Sequence, residues 1–135
     1  MFLIINTADS EKFFLALAKK EKIIFKKEFF VKYRQTEKLL PEIGKLFKKY
    51  DNKTIKGIIV VSGPGSFTSL RIGITVANTL SWALNIPICA VKLNEFNNSD
   101  ELIKMGNQKL KKIKGKNIIY PFYGQEPNIT IKNKL

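Results

Sequence analysis

The sequence contains no histidine, and Cys89 is its single cysteine among 135 residues. A zinc-peptidase site made of histidine ligands cannot form within such a chain, and neither can a serine–histidine catalytic triad. A lone cysteine makes no internal disulfide bond, which is typical of proteins in a reducing compartment. Cys89 also lies in an apolar run, which favours a core residue over a catalytic nucleophile. These absences exclude two classes of hydrolase and predict a cytoplasmic protein.

Long apolar runs are also missing from the sequence. None approaches the roughly 18 residues that a membrane-spanning helix requires. The apolar start at Met1–Ile5 is too short for the core of a signal peptide. Hydrophobic residues nevertheless make up 44% of the chain and are spread along it. This length and composition predict a single compact globular domain without a membrane segment.

Arginine is scarce as well, since only Arg34 and Arg71 are arginine among the 24 basic residues. The formal net charge of +13 would attract RNA phosphate in a non-specific way. Base-specific contacts, however, depend largely on the planar fork of arginine. We therefore interpret the excess charge first as a solvated lysine-rich surface, and second as a non-specific attraction to RNA.

The charged residues avoid the middle of the chain. Between residues 61 and 91, Arg71 is the sole charged side chain, whereas residues 1–60 have a net charge of +7 and residues 92–135 have +5. A stretch with so little charge is typical of a buried layer or of a contact surface for another protein. The two ends of the chain then carry the positive surface.

Apolar patterns along the chain predict a mixed sheet flanked by helices. Three strand-like runs with short turns between them indicate two hairpins, and a later β-branched run indicates a central strand covered on both faces. Crossovers through helices predict that the later strands are parallel. The predicted strands are Phe2–Asn6, Lys12–Ala18, Lys22–Phe30, Gly57–Val61 and Ile86–Val91, with a short final one at Ile118–Tyr120. Three helices are predicted. The first begins near Thr36, which serves as its cap, and the second runs from Phe67 to Leu84. The third begins at Ser99, whose hydroxyl serves as its cap.

A glycine-rich turn joins the central strand to the second helix. Glycine permits backbone angles that other residues resist, and it exposes amide groups at a helix start, where phosphate can bind. The lysine of a P-loop and the glycine spacing of a dinucleotide-binding fold are absent. Two interpretations stay open, a phosphate cradle and a turn that only starts the helix. The residues concerned are Gly63, Pro64, Gly65, Ser66, Thr68 and Arg71.

The second predicted helix carries a small residue at every fourth position, and these residues form one ridge. After Arg71 the helix has no charged residue, unlike a helix with one face in water. Small residues at this spacing let a second helix approach closely. We therefore predict a contact surface for a partner, built from this ridge and from the apolar stripe of the preceding helix. The predicted contact residues are Leu39, Ile43, Phe47, Ser69, Leu70, Gly73, Ala77 and Ser81.

The segment from Gly63 to Pro87, which reads GPGSFTSLRIGITVANTLSWALNIP, resembles the signature of the TsaB (YeaZ) family. Further similarity lies in the opening Ile4–Thr7, in the first helix from Arg34 to Pro41, and in Pro121–Tyr123 near the end. The resemblance is carried mainly by residues 1–91.

This resemblance implies an α/β domain of the actin/Hsp70-like (RNase H-like) fold, with a mixed five-stranded sheet of order 3-2-1-4-5 and flanking helices. It also implies a non-catalytic subunit. In that family TsaB binds the catalytic protein TsaD, and with TsaE they transfer a threonylcarbamoyl group to an adenosine of certain tRNAs. The first two helices of TsaB pack against TsaD or against a second TsaB. The implied partners are therefore TsaD, TsaE, a second copy of this chain, and tRNA indirectly.

Two features depart from that family. Its members are usually much longer, with a second lobe after the strand that corresponds to Ile86–Val91. We therefore expect residues 1–91 to form the RNase H-like lobe, and residues 92–135 to be a reduced remnant of the second lobe, with a short helix and an extended tail. Asn6 stands where nucleotide-binding relatives carry an aspartate, and this change removes a hard oxygen ligand for Mg²⁺. The departures imply that the chain alone holds no metal or cofactor, and that ATP and Mg²⁺ act only in the complex.

Two other functions remain open on the residues alone. The glycine-rich turn is compatible with a small nucleotide-binding protein of the sugar-kinase type. The lysine-rich ends are compatible with a basic RNA-binding module, in which Tyr123 could stack on a base. Binding of ATP by the isolated chain would favour the first, and tight, salt-sensitive binding of tRNA would favour the second.

Overall fold

The computed structural model describes residues 1–32 and 34–124 of the chain. Strands and helices alternate after two opening hairpins, with short 3₁₀ turns at Asn52–Thr54 and Leu93–Glu95. In chain order the elements are β1 (Phe2–Asn6), β2 (Lys12–Lys19), β3 (Lys22–Phe30), α1 (Gln35–Lys49), β4 (Gly57–Gly63), α2 (Phe67–Leu84), β5 (Ile88–Lys92) and α3 (Ser99–Lys111). The bounds predicted for the first and third strands and for the second helix are confirmed.

The strands form one sheet of order β3-β2-β1-β4-β5. The β1–β2 and β2–β3 pairs are antiparallel, as expected for hairpins. The β1–β4 and β4–β5 pairs are parallel, and each is reached through a helical crossover. The predicted mixed sheet of order 3-2-1-4-5 is therefore confirmed.

One face of the sheet is covered by α1 and α2. Leu3, Ile5 and Ile58 project from the strands on this side and form a continuous buried cluster with apolar side chains of both helices. In α1 the contributing residues lie three or four positions apart, as a helix with one apolar stripe requires. The two helices also contact each other along this face.

The other face of the sheet is covered by α3. Its residues Leu102, Ile103 and Leu110 pack on Ile59 and Val61 of β4. Strand β4 is buried throughout. Its apolar side chains pack in the clusters on both faces of the sheet. Gly106 lies where the helix closely approaches Ile59. Helix α3 therefore completes the second layer of the domain.

Three local predictions are wrong. The first helix begins at Gln35 without a side-chain cap, so Thr36 does not cap it. The Asn98 side chain caps α3 in place of the Ser99 hydroxyl, accepting from the Glu101 backbone N–H at 2.9 Å. The segment Ile118–Tyr120 forms no strand, because the backbone of its central residue pairs with the side-chain amide of Asn78.

No helix among the described residues combines the length and the apolar character that crossing a bilayer requires.

Candidate functional site

The small-residue ridge of α2 faces the chain's own sheet. Thr7, just after β1, donates a hydrogen bond from Oγ1 to the Ser69 carbonyl at 2.7 Å. A Cβ added at Gly73 would clash with the Thr7 side chain, whose Cβ would lie 2.9 Å away. Ala77 is fully buried, and the Ser81 hydroxyl donates to the Ile86 carbonyl ahead of β5. The close approach that these residues permit within this chain is therefore to the sheet, while their role as partner contacts stays a prediction.

The remaining predicted contact residues are also turned inward. Leu39, Ile43 and Leu70 are each almost completely buried, and Phe47 is half-buried against the same core cluster. An apolar stripe on a helix marks the side that leaves water, and here that side meets the sheet. These residues lie beneath the outer surface of the two helices, and Leu39 also lines the groove between them.

The outer surface carries a groove between α1 and α2, which we call the helix groove. Its cavity has a volume of about 440 Å³. Apolar side chains lie in it although they face outward, and Leu40 is 55% exposed. The one charged side chain lining the groove is Arg71. The lining residues are Gln35, Thr36, Leu39, Leu40, Thr68, Arg71, Ile72, Thr75 and Val76.

Most residues of the helix groove were not predicted from the sequence, although the pattern of apolar residues indicates them. Leu40, Ile72 and Val76 are apolar residues that lie beside the buried stripes and not within them. Apolar residues on the flank of a stripe widen it beyond what one neighbouring layer can cover. Such a flank, on a helix whose one charged residue is Arg71, indicates a second neighbour.

The glycine-rich turn is engaged within the domain. The Ser66 backbone N–H donates to the Ala8 carbonyl at 2.8 Å, and Gly65 packs tightly against Ala8. The Ser66 side chain makes no cap hydrogen bond. Gly63, at φ +127°, lies beneath the backbone of Phe122. Of the two open interpretations, this geometry favours a turn that starts the helix over a phosphate cradle, and Thr68 and Arg71 line the helix groove instead.

The end of β1 offers a poor fit to a nucleotide-bound Mg²⁺. The Asn6 side-chain oxygen accepts from the Ala8 backbone N–H at 3.0 Å. The Asp9 carboxylate accepts from the Glu11 backbone N–H at 2.7 Å, so both oxygens serve the turn between β1 and β2. Among residues 1–32 and 34–124, no three histidine, cysteine, aspartate or glutamate side chains cluster as metal ligands would.

The stretch from Asn117 to Gly124 crosses the outer side of α2 and the end of β4. Asn78 both donates to and accepts from the backbone of Ile119, at 2.9 and 3.0 Å. Further on, the Phe122 backbone N–H donates to the Ser62 carbonyl at 2.8 Å. Tyr123 stacks on Phe67 with ring centroids 4.8 Å apart, so its ring is already paired and the suggested stacking on a base is not supported.

Cys89 lies in β5 and is buried beneath α3. Burial raises the pKa of its thiol to about 12, although the nearby Lys109 acts in the opposite direction. Its Sγ contacts the Gly106 carbonyl at 3.4 Å. A thiol in this environment remains protonated at neutral pH and packs as a small apolar side chain.

We expect iodoacetamide to label Cys89 far more slowly in the folded chain than in urea. A thiol with a pKa near 12 has roughly a thousandfold less thiolate at pH 8 than an ordinary cysteine. Mass spectrometry of timed samples, with and without urea, gives the two rates. Similar rates in both conditions would contradict a buried, inert Cys89.

A family model described as TsaD, tRNA N6-adenosine threonylcarbamoyltransferase, matches residues 31–112 of the chain. This range extends from the end of β3 to the end of α3, and it includes the helix groove and the glycine-rich turn.

Individual relatives agree with that match. The tRNA threonylcarbamoyladenosine biosynthesis protein TsaB of Bacillus subtilis (strain 168) is 35% identical over 79 residues, which are 57% of this chain and 34% of that protein. A tRNA N6-adenosine threonylcarbamoyltransferase of Carboxydothermus hydrogenoformans is 36% identical over 58 residues, 43% of this chain and 17% of that protein. The matched part of the chain thus spans about a third or less of each relative's length.

Among solved structures, YeaZ from Pseudomonas aeruginosa matches with a TM-score of 0.61 and 27% identity. The match covers 67% of this chain and 43% of that one. Together with the strand order, it shows the actin-like (RNase H-like) fold that the sequence predicted.

Proposed function

This chain belongs to the TsaD family and, within it, to the TsaB (YeaZ) proteins, and from this premise we propose that it is a non-catalytic subunit. In this proposal it binds a TsaD protein and keeps it in an active conformation for threonylcarbamoyl transfer to tRNA. The observation that carries the proposal is the largely apolar helix groove on the outer face of α1 and α2, with Arg71 as its one charged side chain.

The helix groove has the character of a protein contact surface. Leu40 is more than half exposed, although burying a leucine fully is worth roughly 1.5–3 kcal/mol. Ile72 and Val76 lie on the facing helix, and Thr75 adds a short, uncharged side chain. A partner helix seated between α1 and α2 would remove this apolar surface from water, and ridges of side chains would pack into the groove. The buried ridge of α2 fixes that helix against the sheet and so keeps the groove in one shape.

A non-catalytic role agrees with the environments of the side chains that were candidates for chemistry in the sequence. Cys89 is buried and protonated, and the oxygens of Asn6 and Asp9 hold a turn. In the glycine-rich turn, the Ser66 backbone N–H donates a hydrogen bond to the Ala8 carbonyl. We therefore propose that ATP and Mg²⁺ act in the complex with TsaD and TsaE, and not on this chain alone. In this proposal a second copy of the chain competes with TsaD for the helix groove. The chain contacts tRNA indirectly, through the complex.

Leu40→Asp is the substitution that tests the helix groove. We expect it to weaken association with TsaD from the same organism at least about 100-fold, because it puts a charge in an apolar contact, and 1.4 kcal/mol corresponds to a factor of ten. Complex mass is measured by light scattering, and transfer of the threonylcarbamoyl group to tRNA is assayed on the same mixtures.

Ile24→Asp is the matched control, since Ile24 is an aliphatic residue that is 42% exposed on the edge strand β3, away from the helix groove. Its variant should bind TsaD as the unmodified chain does. Equal binding by the Leu40→Asp and Ile24→Asp variants would refute the groove as the contact. No complex with the unmodified chain would refute the subunit role itself.

A further inference from the structure

A second and larger cavity lies at the C-terminal end of α2, whereas the helix groove is lined by residues from the first half of that helix. Its volume is about 730 Å³, within the range of ligand-binding clefts. Residues from the end of α2 form one wall, and the stretch that follows α3 forms the other. Its main lining side chains are Trp82, Pro87, Ile113, Lys116, Asn117 and Ile118. We call it the tryptophan cleft.

Trp82 is the most unusual residue of this cleft. Its side chain is 72% exposed, although tryptophan usually buries most of its large apolar surface. The Lys116 ammonium lies 6.0 Å from the centre of its ring. Ile118, in the opposite wall, is 65% exposed. The cleft therefore offers a flat aromatic face with a cation beside it.

The wall that carries Lys116 is strongly basic. Residues 109–116 include five lysines and no acidic residue. Lys109 pairs with Glu95 at 2.8 Å, which fixes the end of α3 to the turn after β5. Lys111, Lys112, Lys114 and Lys116 are exposed, and their charges add at the edge of the cleft.

This combination fits one kind of ligand better than others. A purely apolar partner would cover Trp82 but would take the Lys116 ammonium out of water without a compensating charge. A free inorganic anion would satisfy the lysines but would leave the aromatic face in water. A nucleotide supplies a flat base for the ring and a phosphate for the ammonium together, and bases stacked on aromatic residues within a basic surface are typical of single-strand binding.

We infer that the tryptophan cleft binds a nucleotide of single-stranded RNA, with its base on Trp82 and its phosphate near Lys116. This site is separate from the helix groove, and the inference does not depend on the proposed binding of TsaD. The adjacent lysines contact neighbouring phosphates, so binding is sensitive to salt.

Trp82 is the single tryptophan of the chain, so its fluorescence reports on this cleft directly. The isolated chain is titrated with an oligoadenylate of about ten nucleotides, a length within the usual range of single-strand sites. We expect quenching of the fluorescence, with an affinity that falls steeply as salt is added. Lys116→Gln should weaken binding several-fold. Lys26→Gln removes the same charge from β3 at the far edge of the sheet and should change it little.

Variants of Trp82 are followed by the anisotropy of a fluorescein-labelled strand, since they lack the intrinsic fluorophore. Trp82→Leu should weaken binding at least tenfold, and Trp82→Phe should retain most of it because stacking survives. Circular dichroism checks that each variant is folded. Adenosine monophosphate and polyglutamate are titrated in parallel as a free nucleotide and as an anionic polymer without bases.

Four results would overturn the inference. They are an absence of quenching, equal losses with the Lys116→Gln and Lys26→Gln variants, monophosphate binding as tight as that of the strand, and equal quenching by polyglutamate. The second of these would indicate diffuse attraction to the lysine-rich surface, the third a site for free nucleotides, and the fourth docking of an acidic protein segment.

Discussion

Gly73→Ala is expected to destabilise the domain by about 3 kcal/mol, a large share of the 5–15 kcal/mol that stabilises a typical domain. The added methyl group meets Thr7, with Thr7 Cγ2 2.7 Å from it. Moving Thr7 would also break the buried 2.7 Å hydrogen bond from its hydroxyl to the Ser69 carbonyl. Urea unfolding followed by far-ultraviolet circular dichroism gives the change in free energy of unfolding.

Gly44→Ala is the matched control, because it makes the same change within a helix where nothing lies within 4 Å of the added Cβ. Alanine favours a helix over glycine by about 1 kcal/mol, so this variant should be more stable than the unmodified chain. The two glycines therefore have opposite expected signs. A Gly73→Ala variant as stable as the Gly44→Ala variant would mean that the ridge of α2 does not lie against Thr7.

The strands and the second helix could be predicted from local sequence because their boundaries are set by nearby residues. Glycine and polar turns interrupt the apolar runs, and the continuous apolar character of β4 requires a strand with both faces covered. The directions of the strands followed from connection rules, since hairpins pair antiparallel neighbours and helical crossovers join parallel ones. The strand order itself came from the resemblance to a known family.

The direction of the α2 ridge could not be predicted from its spacing. Small residues at every fourth position allow any close neighbour, and a sheet needs this close approach as much as a second helix does. What decides between them is Thr7, a residue more than sixty positions away whose side chain fills the space that Gly73 leaves. Long-range contacts of this kind are not encoded in a local pattern. That a surface of α2 meets a partner stays a prediction, and Ile72 and Val76, which line the helix groove, lie beside the ridge and not on it.

The prediction of the helix caps was wrong for a different reason. Asn98 and Ser99 are adjacent and both are good caps, so the sequence does not determine which of them starts α3. The stacking of Tyr123 on Phe67 was equally out of reach, because it depends on where the stretch after α3 crosses the domain. The proposed reduction of a second lobe remains a prediction, while the packing of α3 on the sheet can be tested directly.

The packing of α3 on the sheet includes a close approach of Gly106 to Ile59. A Cβ added at Gly106 would lie 2.7 Å from Ile59 Cγ1 and 2.8 Å from its Cγ2. Gly106→Ala should therefore destabilise the domain, although alanine is the better helix former. Ile59→Ala alone should cost about 2–5 kcal/mol through lost burial and a cavity.

The double variant Gly106→Ala with Ile59→Ala should be more stable than the sum of the two single effects, by about 1–3 kcal/mol. The methyl group that clashes with isoleucine would occupy part of the space that isoleucine leaves. Ile58→Ala is the matched background, because Ile58 is equally buried but projects to the opposite face of β4. Combined with Ile58→Ala, Gly106→Ala should show no such gain. Equal coupling in both backgrounds, measured by urea unfolding, would show that α3 acts on the core as a whole and not through this contact. Coupling confined to Ile59 would establish that the residues after position 91 are an integral layer of the fold, held in place by the same strand that supports α2 on its other face.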